Sequence, residues 1–248
     1  MARRRAILSF TAVIVAWELL ASTGLINPFF YSSPTRIAAA FVEEVQLARF
    51  WGDVRITTME LAIGYVAAVA TAIPFGIVTG ASKRLGWFFR PWVDGLNATP
   101  RIALYPVVIL WVGIGIWSKV VLVFLATFFA VAINTAAGVR TVDNRYLDVA
   151  KAYSAPKRWT FLTVVVPATV PFITTGMKIA VHRAVIGVIV AELFGSRQGL
   201  GYMIRVAGQN LQTDRLFVGA LTFTLMGLVM FRALGLLESH FQRWRPST

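Results

Sequence analysis

The chain has 248 residues, of which 57% are hydrophobic and only 14% charged, with a mean hydropathy of +0.69. A soluble domain carries roughly a quarter charged residues, so these proportions argue against an ordinary soluble core and fit a chain whose solvent is largely lipid. The formal net charge of +13 collects between apolar runs and is not interleaved with aromatics, so no nucleic-acid partner is expected, and the absence of cysteine excludes disulfides and thiolate metal sites.

A spanning helix needs roughly 20 mainly apolar residues. The first candidate runs from about Ala6 to Ile26 behind Arg3, Arg4 and Arg5. That basic start resembles a signal peptide, but the apolar run is longer than a signal core, so an uncleaved span is expected. Ser33 and Pro34 form a helix start, N-cap followed by first helical position. Ile37, Phe41, Val45 and Ala48 then recur at helical spacing. This reads as an amphipathic helix at a membrane surface or against the bundle, with a solvated linker helix as the alternative.

A second span is expected from about Thr57 to Ala81, with Gly76 and Gly80 in a small-xxx-small pattern that permits close helix approach. Pro91, Pro100 and Pro106 then break or kink the chain. The third span is expected from about Ile102 to Ile116, with an earlier start as the alternative, and the fourth from about Lys119 to Ala137. A polar stretch from Arg140 to Arg158 precedes a fifth apolar segment, Val164 to Phe194, interrupted by Pro167 and Pro171. Gly195, Gly199 and Gly201 follow a membrane helix, not a strand, so a flexible outer loop is expected there and not a phosphate loop. The sixth span runs from about Leu216 to Leu237, and the tail ends with Arg243, Trp244 and Arg245. There is no internal repeat and no soluble domain.

The expected fold is therefore an all-α integral membrane protein of about six spans in one domain, 1–248. Its sections are 1–54 (first span and amphipathic segment), 55–237 (core) and 238–248 (tail). With the N-terminus inside, the inner segments hold Arg3 to Arg5, Lys83, Arg84, Arg90, Arg140, Arg145, Lys151, Lys157, Arg158, Arg243 and Arg245. The outer ones hold the smaller set Arg36, Arg49, Arg55, Lys119, Arg197, Arg205 and Arg215. This bias places both termini in the cytoplasm.

The polar stretch runs from Tyr146 through Asp148, Ala150, Ser154, Pro156 and Trp159 to Pro167. Leu147, Ala150 and Ala152 suggest a short helix, Ser154 begins a turn around Pro156, and a second helical run starts near Lys157. Two short helices meeting at a bend form a natural docking knob.

This segment resembles the cytoplasmic loop of permease subunits of bacterial ATP-binding-cassette importers. That loop reads Glu-Ala-Ala, three residues, Gly, nine residues, then Ile-x-Leu-Pro. The matching positions are Asp148, Val149, Ala150, Ser154, Val164, Val166 and Pro167, with the spacing intact and Ala155 beside the bend. Ser154 departs from the glycine of the family and Val149 from its alanine. A serine tolerates a strongly positive φ only at a cost. Thr99–Gly115, Asn134–Asp143, Val190–Gly195 and Gly199–Ile204 resemble the nitrate, sulfonate and taurine branch, and the likeness covers roughly Pro34 to Leu237.

The resemblance implies a type I importer-like permease in the bacterial inner membrane, forming a homodimeric or heterodimeric pore with a second permease copy. Two ATPase subunits would dock on the loops, and an extracytoplasmic solute-binding protein would deliver a small anion. A vitamin precursor or another small polar nutrient is the alternative substrate. The chain has no Gly-x-x-x-x-Gly-Lys phosphate loop, so no cofactor is expected on it, and ATP with magnesium belongs to the partner ATPases.

Lys178, His182, Arg183 and Glu192 lie in or near the fifth span, where ionisable groups are costly and usually face a cavity or a partner. They are the candidate translocation path. At helical spacing Lys178, His182 and Glu192 share one side and Arg183 points away. Lys178 or Arg183 would supply positive potential to an anion path; alternatively Lys178 snorkels and Arg183 ties two helices together. The rivals from other classes are an intramembrane enzyme and a transporter driven by an ion gradient. Only His182 and His240 are present and no nucleophile or zinc motif accompanies them, and no second half of an inverted repeat is visible.

Overall fold

A computed structural model of the protein describes residues 2–24 and 27–242, and all regular structure among them is helical. Ile26 of the first expected span and Arg243, Trp244 and Arg245 of the tail lie outside the described residues. The helices are α1 (Ala2–Ser22), α2 (Pro28–Tyr31), α3 (Pro34–Val45), α4 (Ala48–Ala81), α5 (Lys83–Ala98), α6 (Arg101–Val112), α7 (Ile116–Arg140), α8 (Asn144–Ala152), α9 (Lys157–Thr160), α10 (Val166–Gly195), α11 (Leu200–Gln209) and α12 (Thr213–Gln242). A π-helical turn, Phe161–Val165, joins α9 to α10. Two packed units emerge, Met1–Thr58 with Glu192–Leu225, and Met59–Ala191 with Met226–Thr248.

Four helices are long and apolar enough to cross a membrane: Ala48–Ala81, Ile116–Arg140, the continuous run Lys157–Gly195, and Thr213–Leu236. The apolar part of α1, Ile7–Ser22, is shorter.

The second unit shows how the chain alternates. Gly64, Ala68, Ala72, Gly76 and Gly80 form a stripe on α4 at four-residue spacing. A Cβ on Gly76 would lie 2.6 Å from Thr135 Cβ and 2.7 Å from Ala132 O, and one on Gly64 would lie 2.7 Å from Val123 Cβ. Small residues therefore let α4 and α7 pack backbone to backbone, and the ascending order of contacts on both helices makes them parallel. Gly176 meets Asn134 while Gly187 meets Ala126, so α10 runs antiparallel to α7. Gly227 and Phe231 of α12 meet Val185 and His182 in reverse order, so α12 runs antiparallel to α10. Tyr65 Oη donates to Met177 O at 2.9 Å, tying α4 to α10.

Because α4 and α7 are parallel, the chain between them must return to the opposite end. It does so through α5 and α6, which meet at a 99° bend. This corrects the expected third span, Ile102–Ile116: α6 has 12 residues, about 18 Å of helix, too short to cross alone. Pro100, which lacks an N–H, and Thr99 in an extended conformation break the helix. The lower part of the return is α5, where Phe89 packs on Phe75; the upper part is α6, where Tyr105 packs with Leu122 and Ala191.

The fifth segment begins earlier than the expected Val164. Before Pro167 the helix widens, and the Val166 N–H donates to Phe161 O five residues back. A proline ring clashes with the carbonyl four residues before it, and a π turn absorbs the mismatch without ending the helix. The sequence expectation for α3 holds: Ser33 caps it, accepting from the Arg36 N–H at 3.4 Å, with Pro34 as first residue.

Candidate functional site

The bend between α8 and α9 is built from the backbone. Asp143 caps the start of α8 by accepting from the Arg145 N–H at 2.9 Å. At its end, the Ser154 N–H donates to Lys151 O and the Ala155 N–H donates to Ala150 O, each at 2.9 Å. These two bonds form a Schellman motif, which requires a left-handed residue at Ser154, and its φ is +53°. Glycine takes that conformation freely; serine takes it with strain. Pro156 follows and prevents the helix from continuing.

Ala150 is only 6% exposed and lies inside the bend, where it lines an open apolar groove of about 510 Å3 with Tyr146, Val149, Tyr153, Ala155, Pro156, Trp159 and Val164. The outward surface is aromatic: Tyr146 is 63% exposed, Tyr153 84% and Trp159 53%. These three carry no part of the family signature, and sequence reading passed over them. Asp148 points outward and pairs with Lys151 at 2.9 Å, both well exposed. Val166 and Pro167 begin α10.

The four ionisable residues of the fifth segment separate into three environments. Lys178 Nζ lies 5.6 Å from the Phe231 ring centroid, and the His182 ring lies 5.9 Å from the same ring, edge-on. Arg183 faces away from them, as helical spacing requires, and its Nη1 donates to Asn97 Oδ1 at 3.1 Å. Arg101 Nη2 donates to the same oxygen at 2.9 Å and to Asn97 O at 3.3 Å. Its guanidinium carbon lies 5.9 Å from the Phe129 centroid. Asn97 and Arg101 flank the α5–α6 break; no periodicity pointed to them, because the break sets their positions.

Glu192 is fully buried in the first unit. Its Oε1 accepts from Thr57 Oγ1 at 2.7 Å and its Oε2 from the Gly201 N–H at 2.6 Å. Thr57 Oγ1 accepts in turn from the Leu200 N–H at 2.9 Å, and Asp53 Oδ1 accepts from the Gly199 N–H at 2.6 Å. Gly199 has φ +103°, and a Cβ there would run into the Glu192 carboxylate. The loop expected to be flexible is thus held by two carboxylates and a hydroxyl. In the same unit Ser32 and Arg36 donate to Asp214, at 2.5 and 3.0 Å, and Glu44 pairs with Arg49 and Arg215.

The family of binding-protein-dependent transport system inner membrane components matches residues 72–243, more than half of the chain. The chain belongs to that family. Among relatives of this permease, the putative aliphatic sulfonates transport permease SsuC of Bacillus subtilis is 33% identical over 95% of this chain and 86% of its own length. The formylaminopyrimidine transport permease ThiX of Halalkalibacterium halodurans is 30% identical over 96% and 94%, and the taurine transport permease TauC of Escherichia coli is 26% identical over 95% and 88%. In fold the permease resembles a chain of the inward-facing MetNI methionine ABC transporter, with a TM-score of 0.54 over 74% of this chain and 93% of that one, at 16% identity. The matched region contains the bend, the broken third crossing and both arginines.

Proposed function

We propose that this permease forms half of the pore of an ATP-driven importer for a small organic anion of the sulfonate class. Its partners are a second permease copy, two separate ATPase subunits and an extracytoplasmic solute-binding protein. The bend from Leu147 to Val166 is the ATPase-docking element. The observation that carries this reading is the exposed aromatic face of Tyr146, Tyr153 and Trp159 on a bend fixed by two backbone hydrogen bonds. A docking element transmits force only if it is rigid, and large exposed aromatics are the side chains that anchor interfaces. The substrate class follows the sulfonate and taurine relatives and the arginines Arg101 and Arg183 of the second unit. The end of the second unit bearing Lys83, Arg84, Arg90 and the 140–158 loop is the cytoplasmic one, by the charge bias.

Tyr153→Glu tests the docking. With a tagged permease, the variant is expected to lose at least tenfold in ATPase co-purification while its own thermal unfolding in detergent stays unchanged. Retention of the ATPase at the wild-type level would remove the bend from the coupling route. Orientation is read separately: reporter fusions near Gln198 and Thr248 report opposite sides if both termini are cytoplasmic.

A further inference from the structure

The two arginines at the α5–α6 break have no counter-charge. Among the described residues neither Arg101 nor Arg183 pairs with a carboxylate. They share one neutral acceptor, Asn97 Oδ1, at 2.9 and 3.1 Å, which places two donor nitrogens at most about 6 Å apart. The two guanidinium groups, of like sign, thus face each other across one amide oxygen. Arg101 Nε is buried and makes no hydrogen bond. Ionisable groups within a span normally find a partner of opposite charge or line a cavity. A guanidinium offers five N–H donors in a planar fork suited to oxyanions, and most of the ten here have no protein acceptor.

We propose that Arg101, Arg183 and Asn97 form a binding site for a small monovalent oxyanion, the class to which a sulfonate belongs, on the path through the membrane. This rests on the importer reading and deepens it. The anion takes the fork nitrogens that Asn97 leaves unused and neutralises one of the two charges. One positive charge remains on the site. Asn97 lies on α5, Arg101 on α6 and Arg183 on α10, so the site is complete only at one angle of the break, and occupancy and break angle are linked.

The same chemistry is offered by the phosphate of a lipid headgroup, so the test separates the two. The full chain is placed in nanodiscs of phosphatidylcholine alone and titrated with methanesulfonate, with methanesulfonamide as the uncharged control, and thermal unfolding is followed. Methanesulfonate is expected to raise the midpoint of the wild-type chain and methanesulfonamide is not. Arg101→Gln and Arg183→Gln are each expected to weaken the apparent affinity at least tenfold, with Arg183→Lys intermediate. An unchanged response in both glutamine variants, or no response in the wild type, overturns the proposal. A midpoint raised only when phosphatidylglycerol is added, and lost in the same variants, assigns the arginines to a headgroup and overturns it equally. ATPase co-purification of the same chain reads the importer assignment independently, so a permease that binds its ATPase but no anion has lost only this site.

Discussion

On α10, Glu192 accepts hydrogen bonds from a threonine hydroxyl and a backbone amide, whereas Arg183, nine residues earlier, shares one amide oxygen with a second arginine. Both are charges in an apolar helix, and both were grouped by sequence reading as one candidate path. The carboxylate is consumed by the fold: it closes the turn into α11. The guanidinium keeps donors that the protein does not use. A charge satisfied by backbone is part of the architecture, and one held short of a counter-charge is available to a ligand.

Four substitutions, each read as unfolding of the purified full chain, separate groups that build the fold from groups that do not. Glu192→Ala leaves the Thr57 hydroxyl and the Gly201 N–H without their acceptor. At about 1.5–3 kcal/mol for each of the two bonds to a charged group, a loss of about 3–6 kcal/mol is expected; a loss under about 1 kcal/mol would mean the clasp is not structural. Gly199→Ala attacks the same clasp from the other side, pushing a Cβ against the carboxylate in a left-handed backbone, and is expected to cost about 2–3 kcal/mol. Ser154→Gly acts in the opposite direction. Relief of the positive φ, less the extra entropy of glycine, should stabilise by about 0.5–1 kcal/mol, with no gain if the Schellman turn is not formed. Arg183→Gln gives the smallest shift, under about 1 kcal/mol, because the lost hydrogen bond is offset by relief of like-charge repulsion. A destabilisation as large as that of Glu192→Ala would make Arg183 architectural too.

What the sequence made legible is what short-range rules control. Ser33 and Pro34 set the start of α3, and Gly76 and Gly80 marked a close approach that the structure extends to Gly64. The spacing from Asp148 to Pro167 located the bend, whereas the serine at the glycine position left its geometry open until the structure gave Ser154 a φ of +53°. The bend itself turned Ala150 inward and left Tyr153 outward, which a residue-by-residue match to a signature does not reveal. The prolines announced a break before the third crossing, but hydropathy showed only the apolar run from about Ile102 and not the 99° turn that joins α5 to α6. Asn97 and Arg101 were missed for the same reason: their meeting with Arg183 depends on a 99° turn, not on any period. Glu192 looked like a path residue because sequence shows a charge but not the amides that converge on it.

The ion pair of Lys119 with Glu60, nearly inaccessible on both sides, joins the two parallel helices α4 and α7. Sliding one helix along the other by a turn, about 5.4 Å, would part the pair inside the protein. Breaking a buried pair costs about 3–5 kcal/mol, so fewer than about one molecule in a hundred would occupy the slipped register at equilibrium. Within the second unit, α4 and α7 therefore hold one register and behave as a single strut.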